Sequence, residues 1–91
     1  MIERFGVRGS QAEGVFFTEA EHVGGTDLGN VKVTCVGQNK NLNDVKRELA
    51  RRVRDKGGDV LVAFKYEQKT GFWGDSWHGS GRVVRAGLGQ T

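Results

Sequence analysis

GGDVLVAFKYE, residues 57–67, is the stretch whose reading decides the fold. Gly57 and Gly58 supply the left-handed termination that ends a helix. Asp59 to Glu67 then sets Val60, Val62, Phe64 and Tyr66 against Leu61, Ala63, Lys65 and Glu67, the alternation of a strand. Just upstream, Leu42, Val45, Leu49 and Val53 recur at spacings of three and four. They predict an amphipathic helix over about Leu42 to Lys56, widened by Ala50 and capped by Asn41 or Asn43, with Asp44 in the first turn where the helix dipole favours negative charge. A helix with one apolar stripe has to bury it against a sheet.

Working outward, Trp77 to Arg85 reads as a glycine-containing strand, joined to the first by a Trp-rich turn. A hairpin register setting Val60 opposite Val83, Val62 opposite Gly81, Phe64 opposite Gly79 and Tyr66 opposite Trp77 accounts for the glycines as seats for large cross-strand side chains. The other face then joins Leu61, Ala63 and Val84 to Ser80 and Arg82. Being half apolar, it calls for a second cover, either the N-terminal segment or another subunit. Before the helix, Val31 to Val36 turns Val31, Val33 and Cys35 toward a core and leaves Lys32, Thr34 and Val36 partly wet. Gly14 to Ala20 reads as a strand, Gly24 to Asn30 as a loop, Gly37 to Asn41 as a polar connection, and residues 1–13 as a loose arm or edge strand. The expectation is a single α+β domain over residues 1–91: a small, mainly antiparallel sheet of three to five strands with one helix on one face, in ββαββ order.

A chain of 91 residues buries only roughly 60 to 65 % of its unfolded surface, so every strand must be paired and covered. The single Cys35 excludes an internal disulfide, and its valine neighbours point to a buried strand position. The apolar runs are too short for a signal peptide or a membrane span, which gives the expectation of a soluble cytoplasmic protein. The net charge of +3 is uneven: residues 1–30 carry two basic and five acidic groups, and residues 31–91 carry twelve and six. The basic half is compatible with an anionic partner and equally with ordinary solubility.

Asp44 to Arg85 resembles the YbjQ-like small proteins, a family labelled as putative heavy-metal-binding. The likeness rests on a helix ending in a glycine-x-aspartate step before a valine-rich strand, Gly57-Gly58-Asp59-Val60, and on the last strand, His78-Gly79-Ser80-Gly81-Arg82-Val83-Val84. The region from Thr18 to Gly37 is similar in outline. The resemblance implies a small α+β domain that forms rings. Its metal label finds no ligand cluster here, since Cys35 stands alone.

Two groups of residues are candidates for binding. Arg47, Arg51 and Arg54 cluster on the helix face opposite the apolar stripe, where they suit phosphates, although pairs such as Glu48 with Arg51 or Arg52, and Arg51 with Asp55, have the spacing of a salt-bridged solvent face. Phe72, Trp73 and Trp77, around Gly71, Gly74 and Asp75, serve either as interface anchors and stacking platforms or as a lid folded over the end of the core. His22 and His78 match no metal-ligand spacing, alone or with Cys35 and Asp75. The Gly24–Gly29 loop lacks the lysine and helix of a phosphate loop. Ser76, Ser80 and His78 make no triad, because adjacent strand residues point to opposite faces and no orienting acid is specified. These observations predict no enzyme, cofactor, metal or membrane partner. They point to a homo-oligomeric binding module, with a small nucleic-acid-binding protein as the alternative and metal binding or sensing as a third reading carried only by the family label.

Overall fold

A computed structural model describes residues 2–37, 41–71 and 74–86. Among these residues seven elements follow one another: β1 (Ile2–Arg4), β2 (Val7–Ala12), β3 (Val15–Phe17), β4 (Gly25–Val36), α1 (Leu42–Asp55), β5 (Val60–Gly71) and β6 (Gly74–Ala86). The strands form one six-stranded sheet in the order β1-β2-β3-β5-β6-β4, antiparallel except where β3 runs parallel to β5. The α+β class and the single helix agree with the sequence reading. The strand number and the order do not: there are six strands rather than three to five, and four of them precede the helix. Residues 1–13, expected as a loose arm or edge strand, supply the hairpin β1–β2. Of the expected loop at Gly24 to Asn30, residues 25–30 are instead the first half of β4, because a bulge between Asp27 and Gly29 lets the strand continue along β6. The Asp27 side chain accepts the Gly29 amide at 2.8 Å and holds that bulge.

The helix forms as its sequence dictates. Asn41 is the N-cap in a capping box with Asp44, its side chain accepting the amides of Asn43 and Asp44 while the Asp44 carboxylate accepts the Asn41 amide. At the other end Gly57 takes a φ of 83°, the left-handed conformation expected of it. The next residues tie the helix exit to the sheet: the Asp59 amide donates to the Val84 carbonyl, and the Asp59 carboxylate accepts the Ala86 amide at 2.9 Å. The glycine-glycine-aspartate step is thus a clamp between the start of β5 and the end of β6.

Two apolar layers result. On the helix side Val45, Leu49, Ala50 and Val53 pack on Val15, Phe17, Val31, Val33, Cys35, Leu61, Phe64 and Val83. On the far side Phe16, Val60, Val62 and Val84 are roofed by Phe5, Val7, Val23 and Ala86. This second face carries Val60 and Val62 rather than the Leu61 and Ala63 expected beside Val84, and the N-terminal residues Phe5 and Val7 form part of its cover.

The hairpin register departs from the sequence reading. Val60 pairs with Val84, Leu61 with Val83 and Val62 with Arg82; after a bulge, Lys65 pairs with Ser80 and Tyr66 with Gly79. Ala63 sits in the bulge at a φ of 52° and inserts one residue into the alternation. Leu61 and Phe64 consequently share the helix side, whereas Val60 and Val62 face the opposite layer. The side chain over Gly79 is not Phe64. A Cβ there would collide with Val45 and come within 2.9 Å of Leu49, so the glycine admits the helix. Gly81 lies under Leu61, whose Cγ would be 2.6 Å from an added Cβ.

Candidate functional site

Beyond the Ala63 bulge, β5 leaves its neighbour. Strand β3 pairs only as far as Leu61, the amides of Ala63 and Phe64 still donate to the Ala20 and Thr18 carbonyls, and past them β6 alone flanks β5. From Lys65 to Gly71 every residue is exposed. The β5 edge of the three-stranded ribbon β5–β6–β4 therefore stands bare, while in the same rows the helix still covers Val33, Cys35 and Gly79; the chain measures 48 × 24 × 19 Å. Tyr66 is 52 % and Val36 68 % exposed on this ribbon, and among the described residues no strand lies beside the outer edge of β4.

The candidate aromatics divide. Phe72 and Trp73 lie outside the described residues. Trp77, on β6 opposite Gln68 and Cys35, is half-buried and packs against the helix-side core. Its indole N–H is buried and has no hydrogen-bond partner among the described residues. Tyr66 does not pair with Trp77 as the sequence register placed it; its ring stacks at 5.5 Å on Phe64.

Arg47, Arg51 and Arg54 are exposed on the helix as expected, but two of them are engaged by a residue the sequence reading did not connect to the helix. Glu13, in the turn after β2, has its carboxylate 3.8 Å from Arg47 and its carbonyl oxygen accepting from Arg54. Asp44 also pairs with Arg47 at 3.5 Å. The Glu48 and Asp55 pairs expected along the helix do not form among the described residues, whose ion pairs include one within the helix, Asp44–Arg47. Lys46 folds inward, donating to Ser10 at 3.1 Å and lying 5.8 Å from the centroid of Phe17.

The sheet face away from the helix is polar beyond Val62. Ser76 and His78 stand two apart on β6, hence on one face and not on opposite ones, and the Ser76 hydroxyl is 3.0 Å from Nε2 of His78. Nδ1 of the same ring is 3.1 Å from the Thr34 hydroxyl. Both ring nitrogens are held by hydroxyls, with Glu67 across the ladder at the His78 position. In the next row Lys32 and Lys65 flank Ser80. An open groove of about 610 Å³ is bordered by these three residues together with Glu19, Glu67 and His78. The sequence reading set Lys65 on one face of its strand and Lys32 among partly wet positions without bringing them together, since their adjacency depends on the register of three strands. Among the described residues no cluster of three or more metal-ligating side chains occurs, and no helix is long and apolar enough to cross a membrane.

No family model matches the chain, and no curated protein matches it either. Among solved structures, the chain is similar to the crystal structure of a protein of unknown function from Pediococcus pentosaceus that belongs to the DUF74 family. The TM-score is 0.68 and the identity 18 %, over 82 % of this chain and 100 % of that one. At that identity the likeness establishes the fold: the small α+β arrangement described above is one already seen in a crystal.

Proposed function

We propose that the protein is a non-enzymatic, homo-oligomeric binding module whose subunit contact is made through the bare edges of the β5–β6–β4 ribbon. The observation that carries this reading is the unbroken exposure of Lys65 to Gly71 on a strand that has lost its neighbour. The β5 edge of this ribbon is bare, whereas the helix covers Val33 and Cys35 on β4 and Gly79 on β6. A long bare edge is also a template for pairing with another chain. Tyr66 and Val36, on opposite faces of the ribbon, add exposed apolar surface to it. A heterologous contact between the β4 edge of one copy and the β5 edge of the next closes into a ring or extends into a filament according to the rotation between copies.

The non-enzymatic part of the reading rests on the setting of the Ser76–His78 contact. It lies on β6, which is paired on both sides, so the backbone amides beside it are engaged in the ladder and offer no pair of donors for a developing oxyanion. Nucleic-acid binding through the helix draws less support, because Arg47 and Arg54 already have partners at Glu13 and Asp44. The test is light scattering at low and high salt. A particle larger than one chain and insensitive to salt supports assembly through the ribbon; a monomer at every concentration overturns it. A salt-sensitive complex with single-stranded oligonucleotides that is lost in Arg51→Gln and Arg54→Gln would put the nucleic-acid alternative first.

A further inference from the structure

We propose that the row Lys32, Ser80 and Lys65, on the sheet face away from the helix, binds a small phosphate-bearing anion. Three adjacent strands bring these residues together: Lys32 of β4 and Lys65 of β5 both pair with Ser80 of β6. Neighbouring strands lie about 4.8 Å apart, so the lysine Cα atoms stand about 10 Å from each other, a span that two four-carbon side chains close easily around one ligand. The row borders two adjoining grooves, of about 610 and about 360 Å³. Both lysines are exposed, and neither has a carboxylate within ion-pair distance among the described residues, whereas Lys69 and Arg82 on the same face are paired with Glu67 and Asp27.

The chemistry of the row selects the ligand. Two ammonium groups with a hydroxyl donor between them match a compact dianion carrying several acceptor oxygens, the form of a phosphate or phosphomonoester, better than a singly charged carboxylate. The grooves limit its length. Glu19 and Glu67 border the larger one, so a polyanionic backbone running through it would meet carboxylates on leaving the lysines. A short anion that ends at the row avoids that repulsion. The site does not depend on the assembly reading, because binding is counted per chain whatever the particle size.

The test is isothermal titration of the whole protein with inorganic phosphate and with phenyl phosphate, at constant ionic strength balanced by chloride. The expected result is saturable binding of a single anion per chain, weakened about tenfold in the double variant Lys32→Gln/Lys65→Gln and several-fold in either single variant. Arg47→Gln, on the helix, should bind as the parent does. All three lysine variants change exposed side chains, and circular dichroism checks that each is folded; if the double variant is not, the two single variants decide. The proposal is overturned by the absence of saturable binding at millimolar phosphate, or by an affinity that neither lysine substitution changes. It is also overturned if a single-stranded oligonucleotide binds more tightly than phenyl phosphate and loses the same fraction of affinity in the variants, which would make the row part of a nucleic-acid track. If the lysines only keep the sheet face soluble, titration gives the first of these outcomes.

Discussion

Strand β5 is two strands in one. From Val60 to Phe64 it is covered on both faces, with Leu61 and Phe64 under the helix and Val60 and Val62 under Phe5, Val7 and Val23. From Lys65 to Gly71 it keeps the same partner, β6, and is exposed throughout. The Ala63 bulge separates the halves and shifts which residues face the helix. The contrast shows that a ladder of hydrogen bonds extends further than the core that stabilises it. Burial on the covered half holds the fold together, and the bare half adds little to it.

The largest expected effect tests the covered half. Leu49 is fully buried against the sheet above Gly79, and Leu49→Ala should lower stability by about 2 to 4 kcal/mol in chemical denaturation. A loss no greater than that of a surface variant would mean that the helix does not seat where its stripe directs it. Gly79→Val comes next. The added side chain meets Val45 and Leu49 of the helix, not Phe64, so about 1 to 3 kcal/mol should be lost despite the strand preference of valine. The cost should shrink in the background Leu49→Ala, which makes room; if the two losses simply add, the helix is not what the glycine admits.

Smaller effects sharpen the boundary between the halves. Phe5 meets Phe16 edge-on at 5.9 Å between ring centroids, and Phe5→Ala should cost about 1 to 2 kcal/mol because it opens the roof of the second apolar layer. A neutral result would return the N-terminal hairpin to the status of a loose arm. On the bare half, Tyr66→Ser should change the stability of the isolated chain by less than about 0.5 kcal/mol. The same substitution should reduce particle size in light scattering, as should the pair Phe72→Ser and Trp73→Ser. A variant that unfolds instead would make these aromatics a lid on the core. Arg47→Ala should have the smallest effect, under about 0.5 kcal/mol, since its carboxylate partners Glu13 and Asp44 hold an exposed side chain.

Much of this molecule was legible in local signals. The capping box at Asn41, the stripe from Val45 to Val53, the left-handed Gly57 and the inward set Val31, Val33 and Cys35 all follow from periodicity and backbone preference acting over a few residues. The failures share a different cause. The register of β5 on β6 was misread at two places: the turn sets the pairing two residues from the expected one, and the bulge at Ala63, an ordinary alanine that leaves no compositional mark, changes that offset to one and so reverses the faces on its core side. Residues 25–30 were misread for a related reason: glycine and aspartate, which usually signal a loop, here hold a bulge within a long strand. The candidate residues fared the same way, with the exposure of the helix arginines readable from the helical period and their pairing with Glu13 readable only in space.

The sequence by itself determined one helix, where it begins and ends, which stripe it buries, and that valine-rich strands receive it. Those features are set by interactions between residues no more than four or five apart. Tertiary structure alone decided the parallel seating of β3 beside β5, the roof that Phe5 and Val7 place over the second layer, the length of ribbon left bare, and the meeting of Lys32 with Lys65 across Ser80. Each of these depends on which strands become neighbours. That choice is made by the summed burial of both sheet faces, a quantity that no short window of sequence contains.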